Sequence, residues 1–259
     1  MGKGLKVEHI QLSIVIPVYN SQDTIGLVVE SLIRLYHHLF SLEIILVNDD
    51  SKDNSRLVCE NLRKRYAENI IVIHHETNGG QHRALMTGLR HSQGNLVVLM
   101  DDDMQNPPKE VIKLINKINE GYDVVIGKRT VYNQSWIRKL LSDFNQVVVF
   151  ISTKQRVSFS NFLIMRREVV TKIIEDQSSD PVIQGLILQS TANMTNVLTV
   201  HNPRKHGRSN YTVAKLFKHG LNVSSYISPS VKYSLFLLII MMIVGLAAGA
   251  YYLLRLCLK

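Results

Sequence analysis

The chain has 259 residues, enough for one substantial α/β domain with an appendage. Its formal net charge is +9 and its sequence pI is near 9.5, which favours an acidic partner: nucleic acid, an anionic membrane surface or a phosphorylated substrate. The two cysteines, Cys59 and Cys257, lie far apart and suggest no disulfide framework. The first residues lack the apolar core of a secretory signal peptide.

Apolar runs alternate with helical patterns through the first half of the chain. Predicted strands cover residues 12–19, 43–47, 70–74, 96–100 and 123–126, and Pro17 is expected to end the pairing of the first. Predicted helices fall between them at about 23–40, 54–66, 81–91 and 107–119. Strands alternating with helices indicate right-handed crossovers. The predicted fold class is therefore α/β, Rossmann-like, with a mostly parallel sheet and flanking helices.

The stretch 96–108, read LVVLMDDDMQNPP, passes abruptly from an apolar run to three carboxylates. The apolar run predicts a buried parallel strand, and Asn106 as N-cap with Pro107 in the first turn predicts the start of the next helix. The carboxylates then lie at the carboxyl end of a central strand, where open α/β sheets bind ligands.

Alternate residues of this stretch, Asp101 and Asp103, could direct their oxygens to one side and hold a hard divalent cation. Mg²⁺ or Mn²⁺ typically takes one or two carboxylates and completes its shell with phosphate oxygens. The alternative is a solvated acidic turn before a helix. The stretch alone does not choose between them.

Polar residues follow two other predicted strands, with Tyr19 and Asn20 after the first and Asp49 after the second. The carboxyl ends of adjacent parallel strands share one edge of the sheet, so these groups should converge with the acidic stretch. Asp49 is suited to accept hydrogen bonds from a base or ribose, and the acids would take a metal and a diphosphate. The sequence has neither G-x-G-x-x-G nor a Walker lysine motif, which argues against hydride transfer and P-loop chemistry.

Beyond Gly127 the pattern changes. Residues 136–151 carry apolar positions at helical spacing and predict either a core helix or one lying on a membrane. Residues 212–225 repeat this pattern and are expected to be interfacial. Between them, residues 204–211 read RKHGRSNY, a basic loop that could clamp phosphate by guanidinium pairing, bind anionic lipid, or do both.

Residues 233–254 are uncharged and almost wholly apolar, long enough to cross a bilayer core of about 30 Å. They predict a transmembrane helix, with a buried soluble helix as the alternative. Lysine and arginine crowd its N-terminal side, which by the positive-inside rule puts the main domain in the cytoplasm. The expected organisation is a main domain over 1–211, a juxtamembrane amphipathic segment over 212–231 and a transmembrane helix over 232–256.

Five motifs, in this order, carry a family resemblance: SIVIPVYN, VNDDSKDNS, NGGQHRALMTGL, MDDDMQNPP and RKHGRSNY. Together they resemble the polyprenyl-phosphate glycosyltransferases of glycosyltransferase family 2. These enzymes are similar to dolichol-phosphate mannosyltransferase, and the likeness is greatest to the bacterial branch that loads undecaprenyl phosphate. The resemblance covers about residues 11–230. It implies a GT-A catalytic domain, a nucleotide-sugar donor (a UDP-sugar favoured), Mg²⁺ or Mn²⁺ and a polyprenyl-phosphate acceptor, with no nucleic acid as partner.

The resemblance also implies a location at the inner or plasma membrane, with the catalytic domain on the cytoplasmic face. The small residues of Gly245–Ala250 would permit a homo-oligomer through helix packing.

Matched by position, the family's motifs imply roles for particular residues here. Those expected to bind the nucleotide sugar are Pro17, Tyr19, Val47, Asp49, Asp101, Asp102 and Gln105. The metal would be held by Asp101, Asp103 and Gln105, the D-x-D-x-Q pattern. The acceptor phosphate would be bound by Arg204, Ser209 and Tyr211, which with Gly207 match R-x-x-G-x-S-x-Y. The residues expected to carry the chemistry are Asp103, Arg204 and Arg129.

Some positions depart from the family pattern. Ser21 stands where many members have Glu, Asp50 where many have Gly, and Asn210 where Lys is frequent. These departures bear on base and sugar contacts more than on the chemistry. Many bacterial members carry two spanning helices, whereas one is predicted here.

The implied mechanism follows from charge. A phosphate monoester is largely dianionic near neutral pH and needs no strong general base, unlike a sugar hydroxyl. It must approach the anomeric carbon against repulsion from the diphosphate, which a metal on Asp103 together with Arg129 and Arg204 could offset. We expect a single in-line displacement with inversion. A family 2 enzyme with a saccharide hydroxyl acceptor is the alternative, and Glu175 or Asp176 could then serve as base.

Three further alternatives have less support in the sequence. A processive polysaccharide synthase would carry Q-x-x-R-W and several spanning helices, which are not found. A nucleotidyltransferase would need neither a membrane anchor nor the basic loop. A membrane-anchored binding module would not need the acid triplet.

Overall fold

The structure is a computed structural model that describes residues 11–129, 157–178 and 182–202, and the elements below are numbered within those ranges. In chain order they are β1 (Gln11–Val18), α1 (Ile25–Tyr36), β2 (Ser41–Asn48), α2 (Ser55–Arg65), β3 (Ile70–His74), α3 (Gln81–His91), β4 (Leu96–Leu99), α4 (Val111–Ile118), β5 (Val124–Arg129), β6 (Leu163–Arg166), α5 (Arg167–Ile174), α6 (Ile183–Ser190) and β7 (Met194–Thr199).

The strands form one seven-stranded sheet in the order β3-β2-β1-β4-β6-β5-β7. All neighbouring pairs are parallel except those of β6, which runs antiparallel between β4 and β5. The predicted mostly parallel α/β sheet is confirmed. The antiparallel strand β6 was not predicted.

Both faces of the sheet are covered, which explains why its strands are continuously apolar rather than alternating. One face packs Ile14, Ile16 and Ile44 against α1, α2 and α4. The other packs Val15, Ile45 and Val47 against α3, α5 and α6. The loops at the carboxyl ends of the parallel strands contain the acidic stretch, and the packed sheet fixes their positions.

Helix α3 lies close against β1 and β2 at Gly88. A Cβ at this position would lie 2.3 Å from Val15 Cγ1 and 3.3 Å from Val47 Cγ2, both in side chains with no exposure. Gly88→Ala should therefore destabilise the protein by about 1–3 kcal/mol, because overpacking outweighs the gain in helix propensity. Urea unfolding would measure this change.

Gly26 in α1 is the matched control for that substitution. A Cβ there would meet only Val58 Cγ1 at 3.9 Å, an ordinary contact. Gly26→Ala should be neutral or stabilise by up to about 1 kcal/mol. Equal effects of the two substitutions would contradict the close approach of α3 to the sheet.

The expectation that Pro17 ends the pairing of β1 is wrong. Pro17 is in register with Val47, and β1–β2 pairing continues one residue further. The carbonyl of Val15 accepts a hydrogen bond from Met100 N on the β4 side, so the alternate residue Pro17 faces the same side, where the β4 ladder has already ended. A proline without an N–H is tolerated there.

The predicted helix start at Asn106 and Pro107 is also wrong. Pro107 is extended, with φ −62° and ψ 135°, and a short 3-10 helix over Pro108–Glu110 precedes α4. The residue before a proline is driven towards extended backbone, and Pro108 imposes this on Pro107.

Within the described ranges, no helix has the length and apolar character needed to cross a membrane. The predicted transmembrane helix at 232–256 and the amphipathic segments at 136–151 and 212–231 lie outside those ranges.

Candidate active site

The loops that follow β1 and β4 meet at the carboxyl edge of the sheet. The backbone N–H of Tyr19 donates to Asp102 Oδ2 over 3.1 Å, and the Ser21 hydroxyl donates to the same oxygen. From the start of α3, Gln81 Nε2 donates to Asp101 Oδ1 over 2.6 Å. The predicted convergence of these strand ends is confirmed.

Asp101 is the most electrostatically perturbed acid of the loop. Desolvation first, and then the negative charges of Asp103 and Asp102, raise its pKa to about 7, although hydrogen bonds from Gln81 and Asn161 oppose the change. The carboxylates therefore lie close enough to repel one another. A cation bound among them would relieve that repulsion.

This pKa gives the metal-free protein a defined pH dependence. Because the folded-state pKa of Asp101 lies above the ordinary value of about 3.9, the folded state binds more protons than the unfolded state between those values. With a chelator present to keep the protein free of metal, its free energy of unfolding should fall as pH rises from about 4 to about 8. Comparing the wild-type protein with Asp101→Asn isolates this contribution: the free energy of unfolding of the variant minus that of the wild type should rise with pH over this range, and a difference that stays constant or falls would contradict the expectation.

Asp102 connects the acid loop to the loop after β1. Desolvation raises its pKa to about 6, against the lowering effect of the hydrogen bonds from Ser21 and the Tyr19 backbone. One oxygen of Asp102 is thus committed to protein contacts. Its predicted contact with the nucleotide stays a prediction.

Asp103 lies in a tight turn at the centre of the site. Its Oδ1 accepts a hydrogen bond from Gln105 N over 3.0 Å, across Met104, whose φ is +61°. His201, two residues after the end of β7, has a pKa that depends on charged groups of this region. Its pKa is lowered by desolvation and by Arg129, and raised by Asp103. Arg129 and Asp103 therefore both lie close enough to His201 to affect its charge, and their predicted roles in the chemistry stay predictions.

Left-handed backbone is confined to these loops among the described non-glycine residues. Asn20 has φ +53°, Asp50 +56° and Met104 +61°. Asn20 and Asp50 follow β1 and β2, and Met104 lies in the acid loop. The family's frequent glycine at the position of Asp50 fits this conformation, which most side chains disfavour.

The Asp49 carboxylate makes hydrogen bonds within the protein that the sequence did not suggest. It is 3% exposed, and its Oδ1 meets His75 Nδ1 at 2.8 Å and accepts from Gly79 N over 2.9 Å. Its Oδ2 accepts from Gly80 N over 2.7 Å. Asp49 therefore shapes the Asn78–Gly80 turn that leads into α3, and its contact with a base or ribose stays a prediction.

The other predicted nucleotide-binding residues divide by exposure. Pro17 and Val47 are buried in paired positions of β1 and β2, and the Val47 side chain faces α3. Tyr19 is 47% exposed, at the edge of the site. Of these three, Tyr19 has the side chain most accessible to a ligand.

The segment after β7 crosses the acid loop, which sequence reasoning missed. Asn202 N donates to Gln105 O over 2.8 Å, and Asn202 Nδ2 donates to Met104 O over 3.2 Å. His201 Nδ1 lies 3.3 Å from Asn106 Oδ1. The one available signal was position in the sequence, since these residues directly precede RKHGRSNY. Arg204, Gly207, Ser209 and Tyr211 themselves lie outside the described ranges.

The alternative base, Glu175 or Asp176, is not brought to the acid loop. The carbonyl of Asp176 accepts a hydrogen bond from Arg90 Nη2 in the last turn of α3. Gln81, which contacts Asp101, starts the same helix, and its 11 residues extend over about 16 Å.

The acid loop has the chemistry to hold a divalent cation. Across the described ranges, no three histidine, cysteine or acidic side chains converge in a metal-ligating arrangement. Mg²⁺ and Mn²⁺ do not need such a set, since one or two carboxylates suffice when phosphate oxygens complete the shell. Asp101 and Asp103, with their mutual repulsion, fit that requirement.

Solved structures show the class of fold. Glucosyl-3-phosphoglycerate synthase from Mycobacterium tuberculosis, in complex with Mn²⁺, UDP and glucosyl-3-phosphoglycerate, superposes with a TM-score of 0.60 at 18% identity, over 84% of this chain and 78% of that one. A second complex of the same synthase, with Mn²⁺, UDP and phosphoglyceric acid, gives a TM-score of 0.61 at 18% identity, over 84% and 77%. The chain has an α/β, GT-A-like fold similar to that of these structures.

The profile of glycosyl transferase family 2 matches residues 13–178, and the chain belongs to that family. The undecaprenyl-phosphate 4-deoxy-4-formamido-L-arabinose transferase of Proteus mirabilis is 31% identical over 209 residues, covering 80% of this chain and 64% of that protein. The protein of that name from Pseudomonas savastanoi pv. phaseolicola is 32% identical over 210 residues, covering 79% and 62%. The chain thus spans less than two thirds of the length of these relatives.

Proposed function

We propose that this protein is a membrane-anchored, inverting glycosyltransferase that moves a sugar from a UDP-sugar to a polyprenyl phosphate, most simply undecaprenyl phosphate. Family membership and the names of the relatives support this class of reaction. The product would be a lipid-linked sugar for building or modifying the cell envelope.

The observation that carries the proposal is the crossing of the acid loop by the segment after β7. Asn202 is hydrogen-bonded to Met104 and Gln105, next to Asp103. Arg204 follows two residues later, and two residues of chain span at most about 7 Å. This distance supports assigning the acids and the arginine motif to one site, the first for the donor and the second for the acceptor.

The charge of each residue determines its proposed role. When bound, Mg²⁺ or Mn²⁺ would neutralise the diphosphate leaving group. Asp101 and Asp103 would hold it, with Gln105 beside them. Arg129, at the exposed end of β5, and Arg204 would offset the charge of the incoming phosphate monoester.

No general base is required in this mechanism, because the acceptor phosphate is already ionised. One phosphate oxygen would form a bond to the anomeric carbon as the bond to the nucleoside diphosphate breaks on the opposite side. The position of Asp176 at the far end of α3 agrees with a mechanism that does not use it.

The membrane location of this reaction is also a proposal. The apolar segment 232–256 and the basic residues before it support anchoring at the inner or plasma membrane, with the catalytic domain on the cytoplasmic face. A lipid acceptor would then meet the site from the membrane side.

The experiment is a transfer assay in membranes that contain the full chain. Membranes receive radiolabelled UDP-sugars, Mg²⁺ or Mn²⁺, and added undecaprenyl phosphate, and label is counted in the organic phase. The expected result is metal-dependent labelling that grows with added undecaprenyl phosphate and gives an inverted anomeric linkage by NMR. Label found only in polymer, in a saccharide acceptor or in soluble nucleotide sugar would reject the proposal.

A further inference from the structure

Gln184 is a buried amide in the first turn of α6, a position that the mechanism above does not use. Gln184 is only 7% exposed, although its side chain is polar. Its Nε2 donates to Asn161 Oδ1 over 3.1 Å. Asn161 lies just before β6, so this bond joins α6 to the centre of the sheet.

The bond fixes the direction of a short hydrogen-bond chain. Because Asn161 Oδ1 accepts from Gln184, the donor end of the Asn161 amide is left for its other neighbour. That neighbour is Asp101, whose pKa the nearby Asn161 side chain lowers by hydrogen bonding. The chain therefore runs from Gln184 through Asn161 to Asp101, with each group donating to the next.

The first member of this chain lacks a donor. Gln184 Oε1 is shielded from solvent and has no hydrogen-bond partner within the ranges the structure describes. A buried carbonyl oxygen without a partner is unfavourable, and such an atom near a site is often satisfied by a ligand or an ordered water. Here it is two hydrogen bonds away from the carboxylate expected to face the diphosphate.

We propose that Gln184 Oε1 accepts a hydrogen bond from a hydroxyl of the donor's sugar, and that the Gln184–Asn161 chain holds Asp101 in place when that hydroxyl is bound. This inference rests on the proposed function and adds to it a residue that binds the sugar and contributes to donor specificity. Gln184 contacts the sugar directly and acts on Asp101 only through Asn161. A donor with a hydroxyl at this point would be preferred over one without it.

The test compares the affinity for a UDP-sugar with that for UDP alone. Isothermal titration calorimetry on the purified full chain, with Mn²⁺, would use UDP-glucose, UDP-galactose, UDP-xylose and UDP. In Gln184→Met, which keeps the volume but removes the amide, the ratio of the best UDP-sugar affinity to the UDP affinity should fall about 10-fold, as expected for one lost hydrogen bond. Gln189→Met, on the exposed side of the same helix, should leave the ratio unchanged.

A double-mutant cycle tests the chain itself. Asn161→Leu should lower the same ratio, and the combination with Gln184→Met should add little, because both substitutions break one chain. Additive effects would overturn the coupling to Asp101. Should Gln184→Met fail to fold, as judged by circular dichroism, Gln184→Ala replaces it with the same expectation.

The failures of the two proposals can be told apart. An unchanged affinity ratio in a folded Gln184 variant overturns this inference alone, and indicates that water or another group satisfies Oε1. A wild-type chain that binds neither UDP nor any UDP-sugar with Mn²⁺ overturns the proposed function and this inference with it.

Discussion

Replacing Asp103 with asparagine should lower sugar transfer to polyprenyl phosphate by about 100- to 1000-fold, the size expected when one group that stabilises transition-state charge is removed. Asparagine keeps the size of the side chain and an oxygen that can accept the hydrogen bond from Gln105 N. It removes the negative charge that would hold the metal against the diphosphate. The fold should therefore survive while the chemistry is lost.

The measurement is label transferred to the lipid phase at saturating donor, over a range of Mn²⁺ concentrations. A loss of charge at a metal ligand should also raise the Mn²⁺ concentration that gives half-maximal transfer. Asp176→Asn is the matched control, because that residue lies at the far end of α3 and should leave transfer unchanged. A strong loss in the control with little loss at Asp103 would instead favour a base-dependent reaction on a hydroxyl acceptor.

Replacing Asp49 with asparagine should destabilise the protein by about 2–4 kcal/mol, a large effect for a substitution that preserves shape. The carboxylate is 3% exposed and meets three groups: Gly79 N, Gly80 N and His75 Nδ1. A carboxamide presents one oxygen only, so its NH₂ group would face a backbone N–H or the imidazole. At least one buried polar group would then lose its partner.

Chemical unfolding of the two proteins measures this effect. Asp50→Asn is a close control, because Asp50 is the next residue and its contact with Lys52 is a solvent-exposed ion pair. Asparagine also tolerates the left-handed backbone at that position. We expect the control to change stability by no more than about 0.5 kcal/mol. Comparable losses in both variants would show that Asp49 does not organise the turn before α3.

The parallel core of the fold could be predicted because its strands are simple. β1 to β4 are continuous apolar runs separated by helical patterns, and a doubly covered parallel sheet is the architecture that buries such runs. β6 could not be predicted in this way. Residues 163–166 are also apolar, but only their pairing between β4 and β5 shows that they run in the opposite direction.

The residues of the candidate site also fall into those that the sequence could predict and those that it could not. Tyr19, Asp49 and the acid triplet were found because each directly follows a strand of the parallel sheet, so topology alone brings them together. His201, Asn202 and Gln184 were not found. His201 and Asn202 reach the acid loop, and Gln184 reaches Asn161, through contacts made across the chain. A lone polar residue in an apolar helix such as α6 carries no spacing signal. Asp49 was found but not its partners, since a carboxylate that organises a turn looks the same in sequence as one that binds a ligand.

The left-handed residues of the loops have a thermodynamic consequence for donor binding. Asn20, Asp50 and Met104 hold unusual backbone angles, and side-chain hydrogen bonds hold the loops of the first two together through Ser51 and Lys52. The loss of conformational entropy that accompanies such ordering therefore occurs when the protein folds and not when the nucleotide arrives. A preorganised loop leaves more of the contact energy available as affinity.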